Sequence, residues 1–398
     1  MMKVSSRLAA IQGSVTLAID AKAKAMKAAG IDVIGFGAGE PDFNTPAHIC
    51  QAAKDALDQG KTRYTPAAGE PALRKAICSK LLRDNGLSYT PDQIVVNNGA
   101  KHSLFNAFQA LLEPGDEVLV PSPYWVSYPE LIKMAGGIPV AVMGDPENGF
   151  KTTALQFRNA ITPKTRAIVL NSPNNPNGFV YTRQELQDIG RLAVKHDVYI
   201  ISDEIYEYLV YDGAEHVSIA SLGDEIKERT IVINGMSKAY AMTGWRIGYT
   251  ASPTNVAKAM TAFQSHSTSN VNSIAQCAAL AALRGPDLEL RSMVAEFAKR
   301  RECVCKLIEE TPGLSCIKPM GAFYVMMNVS SLFGKGIDGR VIDGSTAFTE
   351  LLLEHAKVAV VPGIGFGADA FVRLSYAVSM ETLQEGFRRI RSFVDRLA

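Results

Sequence analysis

The chain has 398 residues, 47% of them hydrophobic and 20% charged, with 41 Lys+Arg against 40 Asp+Glu for a formal net charge of +1. That length and apolar share suit a globular chain of about two to three domain-sized units. The charge balance leaves no basic excess or like-charge block to follow a nucleic-acid backbone or an anionic membrane, so small neutral or zwitterionic partners fit better.

In chain order, the opening MMKVSSRLAAIQGSVTLAID has no continuous apolar core of the kind a secretory signal needs. From about Gln93 to Thr250, short β-rich runs alternate with helical patterns. The runs are Ile94–Val96, Val118–Val120, Ala167–Leu170, Val198–Ile201 and Thr230–Ile233. Between them, Leu104 to Leu112 places Leu104, Phe105, Phe108, Leu111 and Leu112 on one stripe, and Thr182 is positioned to cap a helix from Arg183 to His196. This alternation predicts an α/β fold with a doubly wound, mostly parallel central sheet. The charge-poor stretch from Ala259 to Leu283 holds a run of Ser, Thr, Asn, Gln and His between Gln264 and Gln276 that a bilayer would not accept. After Pro286 a long helix runs through Ile308, followed by strands at Ala322–Met327 and Phe371–Ser375 and a closing helix from Glu381. The expected division is a large α/β domain, 46–286, and a smaller α+β domain, 1–45 plus 287–398.

The six cysteines are scattered without a C-x-x-C, and Cys303 and Cys305 diverge on the predicted long helix. Plain thiols in a reducing cytoplasm are expected. The histidines show no paired ligand spacing, and no metal is expected.

In an open parallel sheet, ligands bind beyond the carboxyl ends of the strands. The residues there form an unusual set: Asn97-Asn98-Gly99-Ala100-Lys101 opening a helix, Tyr124-Trp125, the Asn/Pro/Gly cluster around Asn175, Asp203-Glu204-Ile205-Tyr206, and Ser237-Lys238. Singly, each has a plainer reading: a helix cap, a half-buried aromatic, an ordinary turn, a surface lysine. Together they offer an anion cup, an aromatic face, an amide, a carboxylate, a phenol and an amine. These are the requirements for holding pyridoxal 5′-phosphate. Lys238 would form the imine and then act as the base at Cα, and Asp203 would keep the ring nitrogen protonated. Tyr206 and Asn175 would bond the ring oxygen, and Trp125 would stack on the ring. Arg246, Ser237 and the Gly99, Ala100 and Lys101 segment would take the phosphate.

The run Gly235-Met236-Ser237-Lys238-Ala239-Tyr240-Ala241-Met242-Thr243-Gly244-Trp245-Arg246-Ile247-Gly248 resembles the cofactor-attachment signature of class I pyridoxal-phosphate-dependent aminotransferases. SPNNPNG, SDEIYEYL and FVRLSY resemble that family's other landmarks in the same order, and GAGEPDF and TRYTPAAGEPALRKAI extend the likeness over the whole chain. It is most similar to the bacterial aspartate aminotransferases and the bifunctional aspartate/prephenate aminotransferases grouped with them. The resemblance implies fold type I, amino-acid and 2-oxo-acid substrates, and a homodimer in which Tyr64 reaches the cofactor phosphate of the neighbouring subunit. It further implies that Arg373 grips the substrate α-carboxylate, with the Gly39 backbone beside it, and that Trp125 and Asn175 also face the substrate.

Two positions depart from the pattern. FQSHSTSNVN, from Phe263 to Asn272, has no arginine for a distal carboxylate, and Gly235 stands where some members carry a phosphate-binding serine. In the bacterial subgroup the distal cation is the lysine matching Lys101, assisted by hydroxyls matching Ser14 and Thr16. The implied reaction is a ping-pong transfer from L-aspartate to 2-oxoglutarate, with prephenate as the alternative substrate. A β-lyase would use the same cofactor, but the pairing of Lys101 with Arg373 suits two carboxylates. A non-catalytic regulator would need a DNA-binding module, for which the first forty residues are too few and too neutral.

Overall fold

The computed structural model describes Ser5, Ala9 and residues 11–398; residues 1–4, 6–8 and 10 of the N-terminal stretch read above lie outside the described residues. Its centre is a seven-stranded sheet. The strands are β1 (Ile94–Asn97), β2 (Glu117–Ser122), β3 (Ile138–Met143), β4 (Thr165–Asn171), β5 (Tyr199–Asp203), β6 (Thr230–Gly235) and β7 (Gly248–Ala251). They lie side by side in the order β1-β7-β6-β5-β4-β2-β3. Only β7 runs against its neighbours, antiparallel to both β1 and β6. All the other strands therefore point one way, and their carboxyl ends share one edge.

Hydrophobic strands sandwiched between helices explain the near-continuous apolar runs. One face buries Val95, Val118, Val120, Val169 and Ile233 against Leu104, Phe108 and Ile132. The other buries Leu119, Ile168, Leu170 and Ile200 against Leu186, Ile189 and Ala193 of the helix Arg183–His196. That helix starts where expected, with Thr182 and Glu185 forming a reciprocal capping box.

Three element starts and two strands differ from the sequence reading. The helix expected from Leu104 begins at Ala100, because Gly99 supplies its N-cap conformation. The fifth strand starts at Tyr199 rather than Val198. Ala322 has a φ of +57° and belongs to a turn, its carbonyl accepting the Tyr211 and Tyr376 hydroxyls, so the strand expected there covers Tyr324–Asn328. The strands β3 and β7 were not foreseen. β3 is a half-exposed edge strand containing Pro139, and β7 has only four residues inside a glycine-rich run, its extended form set by pairing on both sides.

A second, antiparallel sheet joins β8 (Ser315–Cys316), β9 (Tyr324–Asn328), β10 (Val361–Pro362) and β11 (Phe371–Ser375) in the order β10-β11-β9-β8. The long helix Leu288–Glu309 packs on it and on the closing helix Met380–Val394. Cys303 and Cys305 diverge on that helix, and the buried Cys305 meets the thiol of Cys316 on β8; all six cysteines are free. Among the described residues no helix is long and apolar enough to cross a membrane.

Candidate active site

The strand ends converge on a cavity of about 420 Å³, lined by Ala100, Lys101, Trp125, Asn175, Asp203, Tyr206, Ser237, Lys238, Arg246 and Arg373. Ser14 and Thr16 reach it from the start of the helix Val15–Ala28, where Ser14 is the N-cap and its hydroxyl lies 2.8 Å from that of Thr16. Gly39 lines it as well. The N-terminal segment thus closes over the sheet edge.

The anion cup is built by close packing at β1 and β7. Asn97 ends β1 fully buried, its amide donating to Gln264 at 2.7 Å and its oxygen accepting the Ser103 hydroxyl at 2.8 Å. This fixes the turn through Gly99, where φ is +84°. A Cβ on Gly99 would stand 2.5 Å from Nη2 of Arg246, and one on Gly248 would stand 2.4 Å from the Ala100 nitrogen. Only glycine admits both approaches. The helix Ala100–Leu111 has no side-chain cap, so its first N–H groups and positive dipole end face the cavity beside Arg246 and Ser237.

In the loop after β4, three of the four asparagines hold backbone. Asn171 donates to the Asp203 carbonyl at 2.9 Å and accepts the Asn175 N–H at 2.8 Å, while Asn174 and Asn177 accept N–H groups within the turn. Asn175 alone among them reaches across, its Oδ1 accepting from Nη1 of Arg373 at 3.0 Å.

Asp203, at the end of β5, is 4% exposed. Its Oδ2 accepts the Tyr128 hydroxyl at 2.7 Å. Burial lifts its pKa to about 6, while the Tyr128 hydroxyl and the Ile205 N–H pull the other way. Tyr206 is buried, with its hydroxyl 3.0 Å from that of Tyr324. Lys238 donates from Nζ to the Gly39 carbonyl at 2.5 Å and lies 5.8 Å over the ring of Tyr206. Burial lowers its pKa to about 8; Arg246 and Arg373 add to the fall, and Glu40 and Asp203 oppose it.

Arg373, on β11, is 2% exposed and lies between the rings of Tyr324, 4.5 Å away, and Phe366, 5.0 Å away. Nη2 donates to the Gly37 carbonyl at 2.9 Å, and buried Nε has no partner. Lys101 lies 4.9 Å over Trp125, and burial followed by the charge of Arg246 lowers its pKa. Among the described residues, Lys101, Lys238, Arg246 and Arg373 form no ion pair with a carboxylate. Arg373 is buried, Lys238 half-buried, and Lys101 and Arg246 exposed; four cations gathered around one concave site give it a positive field that suits an anionic ligand. The donor set matches pyridoxal 5′-phosphate carrying an amino acid: a helix-start cup with an arginine for phosphate, a buried carboxylate for a pyridinium, an amine for the aldehyde and two further cations for carboxylates.

Tyr64 falls elsewhere. It is 91% exposed and does not line this cavity. Among the lining residues that the sequence did not single out are Tyr128, Tyr324 and Glu40, which accepts the Thr243 hydroxyl at 2.7 Å. Trp125 and Tyr128 are three residues apart across a helix start, a spacing that could have signalled a shared face. Tyr324 lies in an apolar run with no such signal.

A second polar group, Glu204, Glu207 and His216, places ligand-type atoms within 4.8 Å of one another. Its acids are already engaged. Glu207 pairs with Lys80 at 2.5 Å and accepts from Asn234 and Asn85, and Glu204 accepts from Ser202 and Ser218 and meets His216. It is a polar network behind β5 in which both acids are engaged, while buried His216 Nδ1 has no partner among the described residues.

Residues 31–390 match the family model described as aminotransferase class I and II. The chain is 51% identical over 397 residues to the aspartate aminotransferase of Geobacillus stearothermophilus, covering all of both chains. It is 48% identical over 396 residues to the probable aspartate/prephenate aminotransferase of Aquifex aeolicus, covering 99% of each. The solved structure of the Rhizobium meliloti aspartate aminotransferase superposes with a TM-score of 0.97 at 45% identity, covering all of both chains. With this fold, this cavity and these full-length relatives, the chain belongs to the class I and II aminotransferases.

Proposed function

We propose that the protein is an aspartate aminotransferase, which takes the amino group of L-aspartate and passes it to 2-oxoglutarate with pyridoxal 5′-phosphate held in the cavity at the strand ends. The observation that carries this reading is the set of four cations around that cavity that pair with no carboxylate among the described residues. Bound there, pyridoxal phosphate supplies the carbonyl that carries the amino group and a ring that accepts the electron pair left at Cα.

The chain's residues do the rest. Arg246, the Ser237 hydroxyl and the N–H groups of Ala100 and Lys101 after Gly99 hold the phosphate. Asp203 holds the protonated ring nitrogen, Tyr206 and Asn175 bond the ring oxygen, and Trp125 covers the ring face. Arg373 clamps the α-carboxylate alongside the Gly39 backbone, which aligns the Cα–H with Lys238. As a neutral amine, Lys238 would remove that proton from Cα and return it to the carbon on the far side of the transferred nitrogen. The lowered Lys238 pKa supports this role, since a base near neutrality must shed its charge easily. Lys101 takes the distal carboxylate, aided by Ser14 and Thr16. A homodimer completes the site, with Tyr64 reaching the partner's phosphate; its exposure away from its own cavity supports this. Prephenate is a second substrate on this reading, favoured by the full-length likeness to a relative named for both activities.

The distal-carboxylate role is tested by single-turnover half-reactions with aspartate and alanine. A charge-assisted bond in an enclosed site is worth about 1.5–3 kcal/mol, so Lys101→Ser should cut the preference for aspartate over alanine about tenfold or more. An unchanged preference would refute it. A pH profile tests the amine: cofactor-free protein should take up pyridoxal phosphate faster as pH rises towards 8, then level off above it, because only neutral Lys238 attacks the aldehyde. A rate flat from about pH 6.5 to about 9.5 would contradict this.

A further inference from the structure

We propose that Tyr128 is a positioning residue: its hydroxyl holds the Asp203 carboxylate in its charged form for the cofactor's ring nitrogen, while its ring props Trp125, which covers the ring face. The inference rests on the reading of Asp203 given above and adds a residue to it.

Tyr128 lies in the first turn of the helix Ser127–Met134 and is 2% exposed. Its hydroxyl donates to Asp203 Oδ2 at 2.7 Å, within the buried interior. Its ring meets Trp125 edge to face, with centroids 5.3 Å apart and planes at 81°. One side chain thus touches both protein groups assigned to the pyridine ring. Asp203 needs this help. The groups facing it are Tyr128 from the helix, Glu204 and Tyr206 from the turn after its own strand, and Lys238 from the turn after β6. Glu204 disfavours the charged carboxylate and Lys238 favours it, but Lys238 is committed to the aldehyde and loses its charge there. Beside the Ile205 N–H, which donates to Oδ1 at 3.4 Å, Tyr128 is the neutral side-chain donor to Asp203, and its own burial raises its phenol well above the ordinary range. It therefore stays protonated and donates at every working pH. A protonated Asp203 could not balance a pyridinium charge, and the ring nitrogen would lose its proton.

The test measures pyridoxal 5′-phosphate binding to cofactor-free protein by equilibrium dialysis for wild type, Tyr128→Phe, Asp203→Asn and the double variant. Phenylalanine keeps the ring against Trp125 and removes only the hydroxyl. Loss of one bond to a buried charged group should raise the Tyr128→Phe dissociation constant about tenfold at pH 7. The ratio to wild type should shrink towards one by about pH 9, where Asp203 ionises unaided; comparison as a ratio cancels the titration of Lys238 and of the cofactor itself. The double variant should bind no more weakly than Asp203→Asn alone. Tyr128→Phe binding like wild type while Asp203→Asn binds weakly would overturn the Tyr128 role alone. So would a pH-independent loss that adds to that of Asp203→Asn. Wild-type affinity in Asp203→Asn would overturn the underlying reading of Asp203 as well.

Discussion

Replacing Lys238 with alanine should reduce turnover at least about 10⁴-fold, the scale of a lost general base and covalent partner combined, and should remove the visible absorbance of the lysine-linked cofactor. The loss should be chemical and not structural. Lys238 is only partly buried, and its one hydrogen bond goes to the Gly39 carbonyl at the cavity wall. The folded protein keeps it near the edge of neutrality by burial and two neighbouring arginines, so alanine removes a group whose charge is disfavoured in place. Gly99, Ala100 and Arg246, proposed above to hold the phosphate, are untouched, and the variant should still bind pyridoxal phosphate, without the covalent link. Absorbance spectra and single-turnover kinetics on the purified variant check both halves. A variant that retains turnover and the lysine-linked spectrum would sink the assignment.

Arg373→Met should lower kcat/KM for every amino donor about 10²- to 10³-fold, the cost of removing one partner from an enclosed charge pair, and do so without a matching loss of stability. Arg373 is buried between Tyr324 and Phe366, and among the described residues it pairs with no carboxylate and its Nε has no partner. Burial works against its charge, which offsets part of the cost of leaving Asn175 Oδ1 and the Gly37 carbonyl without their donor. The melting temperature of the cofactor-free variant should therefore stay within about 5 °C of wild type. That outcome would show a trade-off in which a site held ready for a carboxylate carries a folding cost that substrate binding relieves. A large fall in melting temperature with little change in kcat/KM would mean Arg373 serves the fold and not the substrate. A loss confined to dicarboxylate donors would place the distal group at Arg373 and exchange its role with that of Lys101.

Much of the site was legible because parallel strands deliver their polar residues to one edge. The apolar runs marked β1, β2, β4, β5 and β6, and the residues just beyond them included Lys101, Trp125, Asn175, Asp203, Tyr206 and Lys238. Local chemistry could not say which asparagine in NSPNNPNG turns outward, since Asn171, Asn174, Asn175 and Asn177 are equivalent by composition and differ only in what lies opposite. Nor could it find β7, whose extended form is completed by pairing with β1, far back in the sequence, as well as with β6.

The near-zero net charge fitted a small zwitterionic partner, and the sequence by itself determined the α/β layering, the identity of the cations and their family motif. Strand periodicity, caps and turn residues are local and survive without any neighbour. Only the tertiary structure decided that those cations meet. Arg373 and Asn175 are 198 residues apart, and Asp203 and Tyr128 are 75 apart. Their contacts depend on crossover packing and on a second sheet docking over the strand ends. The same folding decided which charges lost water, and with it the pKa values of Lys238 and Asp203, because desolvation belongs to the packed cavity and to no residue alone.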